Sequence, residues 1–259
     1  MKRIHPHFSA IAHRYEDLRT TDVEPILFIK EKLQNLNKIE AADVGCGVGR
    51  YDIKLFHHLG EKLYLTCIDY NRRMLNELTK NLKKHKIRNF KTINASAMAL
   101  PLPNNSLDAI VTFNAIHHFK CLDFLKETSR VLRQNGNLFI YTRLPSQNKR
   151  NIWGRFFPEF HKKEKRLYKL SELKEMVREI PTLKMKFTQY FKYKRMATLE
   201  WLVTQARHHH YSTFYLYNEI EFEEALQKFQ ENTNHHFKNL DNIIWDDENI
   251  MFNMRKDIR

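Results

Sequence analysis

Six glycines serve the whole 259-residue chain, and three of them, Gly45, Gly47 and Gly49, alternate within five positions. A chain this sparing with glycine concentrates it where the backbone needs positive φ or where another group must come close. The apolar run before Gly45, through Ala41, Ala42 and Val44, reads as a buried strand. After Gly49, Tyr51, Leu55 and Leu59 recur at helical spacing. Strand, tight glycine turn and helix together open a nucleotide-binding βαβ unit.

The spacing excludes two familiar loops. A P-loop ends in Gly-Lys-Ser/Thr, whereas here Gly49 is followed by Arg50 and Tyr51. The dinucleotide fingerprint G-x-G-x-x-G would place its third glycine at residue 50, which is Arg50. What stands instead is Asp43-x-Gly45-x-Gly47-x-Gly49, with Cys46 and Val48 between the glycines. A second apolar run, Leu63 to Ile68, ends in Asp69, 20 residues beyond Gly49. A carboxylate there can accept hydrogen bonds from both hydroxyls of a ribose. Met74, Leu75, Leu78 and Leu82 then mark the next helix.

From about residue 8 to 143 the chain resembles the class I S-adenosylmethionine (SAM)-dependent methyltransferases, in the broad group of biotin-pathway, ubiquinone-pathway and trans-aconitate enzymes. Four motifs carry the likeness: the loop from Asp43 to Gly49; Ile68-Asp69-Tyr70-Asn71 through Met74; Asn94 to Pro103, containing Ser96, Ala97 and Met98; and Ser106 to Phe119, continuing to Arg130–Ile140. The resemblance implies an α/β fold: a Rossmann-like, doubly wound sheet of seven strands, the last antiparallel, with a helical lid. It implies SAM as cofactor and S-adenosylhomocysteine as product. It assigns Tyr15, Arg19, Asp43, Gly45, Cys46, Gly47, Gly49, Asp69, Tyr70, Met74, Ser96, Ala97, Met98, Phe113 and Asn114 to cofactor binding. Ser96 departs from the family, which often has an acidic residue there.

The composition sets wider bounds. At 31.4 kDa and 42% hydrophobic residues, the chain can bury one sizeable core with elaborations. No apolar run is long enough to span a bilayer, so no membrane insertion is expected. The N-terminus lacks the apolar segment of a secretory signal, and Cys46, Cys67 and Cys121 are too scattered for a disulfide framework. A cytoplasmic protein with small buried thiols is the expectation. The net charge of +14 opens a polyanion-binding reading, carried by the stretches Lys80–Lys91 and Lys149–Lys169. No RNA-binding module motif accompanies them.

Along the chain, residues 1–36 read as an N-terminal helical cap, with Pro25 near a helix start and Ile26, Ile29 and Leu33 on one face. Residues 37–143 alternate strand and helix, with strands near 41–45, 63–69, 90–94, 108–113 and 137–143. Residues 144–259 supply the rest of the sheet with lid insertions at 144–170 and 196–240. Pro145 and Pro158 are read as breakers. Trp153, Phe156, Phe157 and Phe160 are read as lid core ahead of substrate stackers.

Methyl transfer from a sulfonium needs no acid for its leaving group, and needs a general base only when the acceptor carries a proton. His117, in the loop after the fourth strand, is the candidate base or pocket wall, with His118 beside it. Tyr211 is a second catalytic candidate. His118, Arg143, Tyr168, Arg207, His210 and Tyr211 are candidates for binding the acceptor. The three adjacent histidines His208–His210 suggest metal only weakly, because neighbours on a helix diverge, and no metal site is expected. The expected function is methylation of a small-molecule O, carboxylate, N or S nucleophile beneath the lid. An RNA (tRNA) methyltransferase is the alternative, and a non-catalytic SAM-binding protein the second. The sequence leaves the oligomeric state open.

Overall fold

Val, Ile and Leu runs too short for helices, separated by amphipathic segments, dictate strands buried on both faces and helices laid against them. The computed structural model describes residues 20–257. In chain order the elements are α1 (Glu24–Leu33), β1 (Ile39–Val44), α2 (Arg50–Leu59), β2 (Leu63–Asp69), α3 (Arg72–Lys84), β3 (Phe90–Asn94), β4 (Leu107–Phe113), α4 (Cys121–Val131) and β5 (Leu132–Thr142). There follow α5 (Pro145–Arg150), α6 (Ile152–Phe156), α7 (Phe160–Lys163), α8 (Leu170–Arg178), β6 (Leu183–Ala197), α9 (Leu199–Arg207), α10 (Glu219–His236) and β7 (Ile243–Lys256).

The seven strands form one sheet in the order β3-β2-β1-β4-β5-β7-β6. β1 pairs in parallel with both β2 and β4, so strand order reverses at β1. Ligands of such sheets lie beyond the carboxyl ends of the strands at that switch. β7 closes against β5 antiparallel, from Asn137 opposite Arg255 to Thr142 opposite Ile250. The expected seven-stranded α/β sheet with an antiparallel last strand is therefore what forms.

Two compact units divide the chain. The sheet unit comprises Thr20–Thr142, Lys169–Gln189 and residues 250–257. Its core holds β1, β2 and β4 through Ala42, Ile68 and Ile110, all fully buried, with α1 contributing Ile26, Ile29 and Leu33. The second unit takes in Arg143–Tyr168 and Tyr190–Asn249. Its core is aromatic: Trp153, Phe156, Phe157 and Phe160 bury against Phe214, Phe222 and Phe229. Trp153 stacks on Phe229 with centroids 5.0 Å apart. Those four residues are packing groups, as the sequence suggested.

Two local expectations change. Pro145 does not break structure but starts α5, where a fixed φ and a missing N–H suit the first turn. β5 begins at Leu132, five residues before the expected 137, because α4 runs straight into it.

Candidate cofactor site at the end of β1

Beyond Val44 the chain turns sharply. The Gly45 N–H donates to the Ile68 carbonyl at 2.8 Å, the Cys46 N–H to the same oxygen at 3.2 Å, and the Gly49 N–H to the Cys46 carbonyl at 3.1 Å. Gly45 has φ +78°, and a Cβ there would lie 2.6 Å from the Ala115 Cβ and 2.9 Å from the Phe119 ring. The loop therefore fits only without a side chain at Gly45. At Gly47 a Cβ would meet nothing within 4 Å, so this stretch of backbone borders open space.

Asp69 ends β2 facing the loop. Its Oδ2 accepts the Gly47 N–H at 2.9 Å, and its Oδ1 accepts the Asn71 N–H at 2.7 Å. Tyr70, next in the chain, is 64% exposed. Met74, by contrast, is buried in α3, whose N-terminus Asn71 caps by accepting the Arg73 and Met74 N–H groups. After β3, the Ser96 Oγ accepts the Met98 N–H at 3.2 Å and so holds the turn through Ala97.

Beneath the loop lie two carboxyls. Asp43 on β1 is 2% exposed and Asp52, in the first turn of α2, is fully buried. Their side chains meet, and burial is the leading cause raising both: Asp52 is pushed up to about 6, and Asp43 is raised well above the usual carboxylate range. The Asp43 Oδ1 and both Asp52 oxygens receive no hydrogen bond from a well-placed N–H or O–H donor among the described residues. Asp52 was not singled out from sequence, since an acidic residue in a first helical turn reads as ordinary dipole compensation.

The end of β4 forms the opposite wall. Phe113 stacks on Tyr51 at 4.2 Å and 4°, and Tyr141 leans on both rings while its hydroxyl donates to Asp22 at 3.0 Å. Asn114 sits at φ +53°, and its N–H donates to the Tyr141 carbonyl at 2.7 Å. Asparagine tolerates that left-handed conformation better than most residues. His117 and His118 follow in a short 3-10 turn, rings 4.1 Å apart. Cys67 and Cys121 are buried thiols, each pushed up to about 12 and so protonated at neutral pH.

In the second unit, Arg143 and Tyr211 come together, the guanidinium 5.8 Å from the ring centroid. Arg143 also hydrogen-bonds Asp247 and donates to the Glu248 carbonyl at 3.1 Å. Arg207 does not join them: it is exposed and paired with Glu223 at 3.0 Å. His210 is buried against Trp153, at 5.1 Å between centroids. Ser212 accepts from Arg166 at 3.0 Å rather than from Arg207. Tyr168 is half-buried. Tyr15 and Arg19 lie outside the described residues.

A glycine turn and a terminal carboxylate at the switch point of a doubly wound sheet are the arrangement at which such sheets bind nucleoside-containing ligands. Residues 41–136 match the family model described as a methyltransferase domain. The chain is 27% identical over 194 residues to demethylmenaquinone methyltransferase of Listeria welshimeri, covering 70% of this chain and 82% of that one. It is 25% identical over 154 residues to the tRNA (carboxymethyluridine(34)-5-O)-methyltransferase of Mus musculus, covering 58% of this chain and 21% of that protein. The fold is also that of the YcgJ protein of Bacillus subtilis, with TM-score 0.66, 15% identity, and 91% and 99% of the two chains covered. Residues 41–136 are a methyltransferase domain, and the matches together support a class I SAM-dependent methyltransferase. Among the described residues no helix is long and apolar enough to cross a membrane.

Proposed function

We propose that this enzyme methylates a small-molecule nucleophile, using SAM held at the turn after β1. The residues fit that donor. The Asp43 oxygen that no N–H or O–H donor among the described residues meets suits an ammonium, the open backbone at Gly47 permits close approach, and the Asp69 carboxylate at the end of β2 is of the type that accepts ribose hydroxyls. The observation that carries the reading is Asp69, which ties Gly47 to the end of β2 and stands half-buried beside the loop.

Bound SAM would supply an electrophilic methyl group on a sulfonium that leaves as a neutral thioether. The chain's part is binding, aim and exclusion of water. Asp69 holds the sugar, Asp43 the methionine end, and the turn at Ser96, Ala97 and Met98 flanks the adenine beside Tyr70. Phe113 and Asn114 shape the wall. An imidazole nitrogen of His117 takes a proton from an acceptor that carries one, with His118 lining the same turn. Arg143 and Tyr211 are the charged and aromatic groups in the second unit best suited to an anionic or aromatic acceptor.

Asp69→Ala removes both the sugar contact and the anchor of Gly47. SAM affinity is expected to fall at least tenfold, about 1.4 kcal/mol, by titration calorimetry. An unchanged affinity would remove the ribose assignment.

The longer match to a quinone methyltransferase supports a small acceptor. One surface favours RNA instead: Arg72, Arg73, Lys80, Lys83, Lys84, Lys86, Arg88 and Lys91 are all exposed, with Glu77 the one carboxylate among them. Incubation with methyl-labelled SAM and fractionated cell extract separates the two. A labelled product that survives ribonuclease is expected; label lost to ribonuclease would transfer the assignment to RNA.

A further inference from the structure

Two carboxyl groups in contact inside a protein cannot both carry charge unless cations or donors surround them. Among the described residues, the Asp43–Asp52 pair has no cation beside it, and the one side-chain donor outside the pair is the Cys67 thiol, on Asp52. The groups that face them are acids or thiols: Asp69 and Cys67 from β2 and Cys46 from the loop. Among the described residues no lysine, arginine or histidine acts on either carboxyl. The Asp52 Oδ2 stands 3.5 Å from where a Cβ on Gly49 would sit, directly under the turn. Three of the pair's four oxygens lack a hydrogen bond from an N–H or O–H donor among the described residues. Such a pair is stable with one shared proton, or with a cation brought to it.

SAM brings that cation: with its ammonium, sulfonium and carboxylate it carries a net charge of +1. We propose that the Asp43–Asp52 pair holds one proton in the ligand-free enzyme and releases it when the cationic methionine end of SAM settles against Asp43. The inference rests on the reading of this turn as the SAM site. Asp52 acts through Asp43 and is a positioning residue. The O–H bond of the shared proton breaks, the electron pair stays on the carboxylate, and the proton passes to solvent.

Burial raises both groups, Asp52 to about 6, which is the direction that a shared proton requires. Because the SAM-bound state carries fewer protons, binding must strengthen as pH rises.

Calorimetric titration with SAM at pH 6.5, in two buffers of different ionisation enthalpy, counts the protons exchanged. That pH lies below the usual range of an α-amino group, so the donor's own ammonium stays charged. Release of close to one proton per SAM is expected, with Kd falling by up to about tenfold per pH unit from 6 to 7. Asp52→Asn keeps a donor for Asp43 but removes the titrating group. In it the release should vanish and Kd become flat with pH, while SAM still binds. Tight binding by the wild-type enzyme without proton release overturns the inference and leaves the SAM site standing. So does release that persists in Asp52→Asn. No SAM binding at any pH removes the site and the inference together.

Discussion

Gly45→Ala should lower SAM affinity at least a hundredfold, roughly 2.7 kcal/mol, without unfolding the sheet. Two independent penalties act at this position. The backbone stands at φ +78°, where a Cβ costs about 1–2 kcal/mol. That Cβ would also press on the Ala115 Cβ at 2.6 Å and the Phe119 ring at 2.9 Å. The Phe119 ring could turn aside, but the Ala115 Cβ moves only with its backbone, so the segment after β4 must move. This segment carries His117 and His118, so the variant should also lose catalysis beyond what saturating SAM restores. Calorimetry with circular dichroism tests it. Native secondary structure with SAM affinity within threefold of wild type would mean that the loop tolerates a side chain and is not shaped for the cofactor.

The second large effect is on stability. A Cβ on Gly154 would fall 2.0 Å from the Asn148 carbonyl oxygen and 2.8 Å from the Lys149 backbone. α5 and α6 meet here backbone to backbone, locked by Asn151, whose side chain accepts the Gly154 N–H at 2.7 Å. Backbone cannot rotate aside, so Gly154→Ala should destabilise the second unit by about 3–5 kcal/mol, in the range of severe steric defects. All three tryptophans, Trp153, Trp201 and Trp245, belong to this unit, so their fluorescence reports on it alone. An early fluorescence transition is expected, with SAM binding by the sheet unit retained. Denaturant curves that superpose on wild type would mean that the helices can separate at little cost.

The two variants also illustrate how unevenly the chain can be read. Gly45 was legible because a turn that needs positive φ leaves a mark in a glycine-poor sequence. Gly154 was not: no local pattern says that a carbonyl six residues earlier lies against its Cα. The same contrast runs through the site. Asp69 is legible as a carboxylate at a strand end, but its two backbone partners, Gly47 and Asn71, become evident only when β2 is seen beside the loop. Asp52 was passed over because its significance comes from Asp43, on a different element. In the second unit Arg207 and Tyr211 stand four residues apart in sequence, and both were candidates for binding the acceptor. The structure gives Arg207 to Glu223, Ser212 to Arg166, and Tyr211 to Arg143, 68 positions away in sequence.

By itself the sequence determined the alternation of strands and helices through the sheet and the turn at the end of β1. These follow from backbone constraints and hydrophobic periodicity, which act over a few residues. Tertiary structure alone decided which carboxyls share a buried space, which arginine meets which tyrosine and where a missing side chain is compulsory. Those outcomes depend on approach between distant segments, and burial converts each approach into a charge or steric cost that no local stretch encodes.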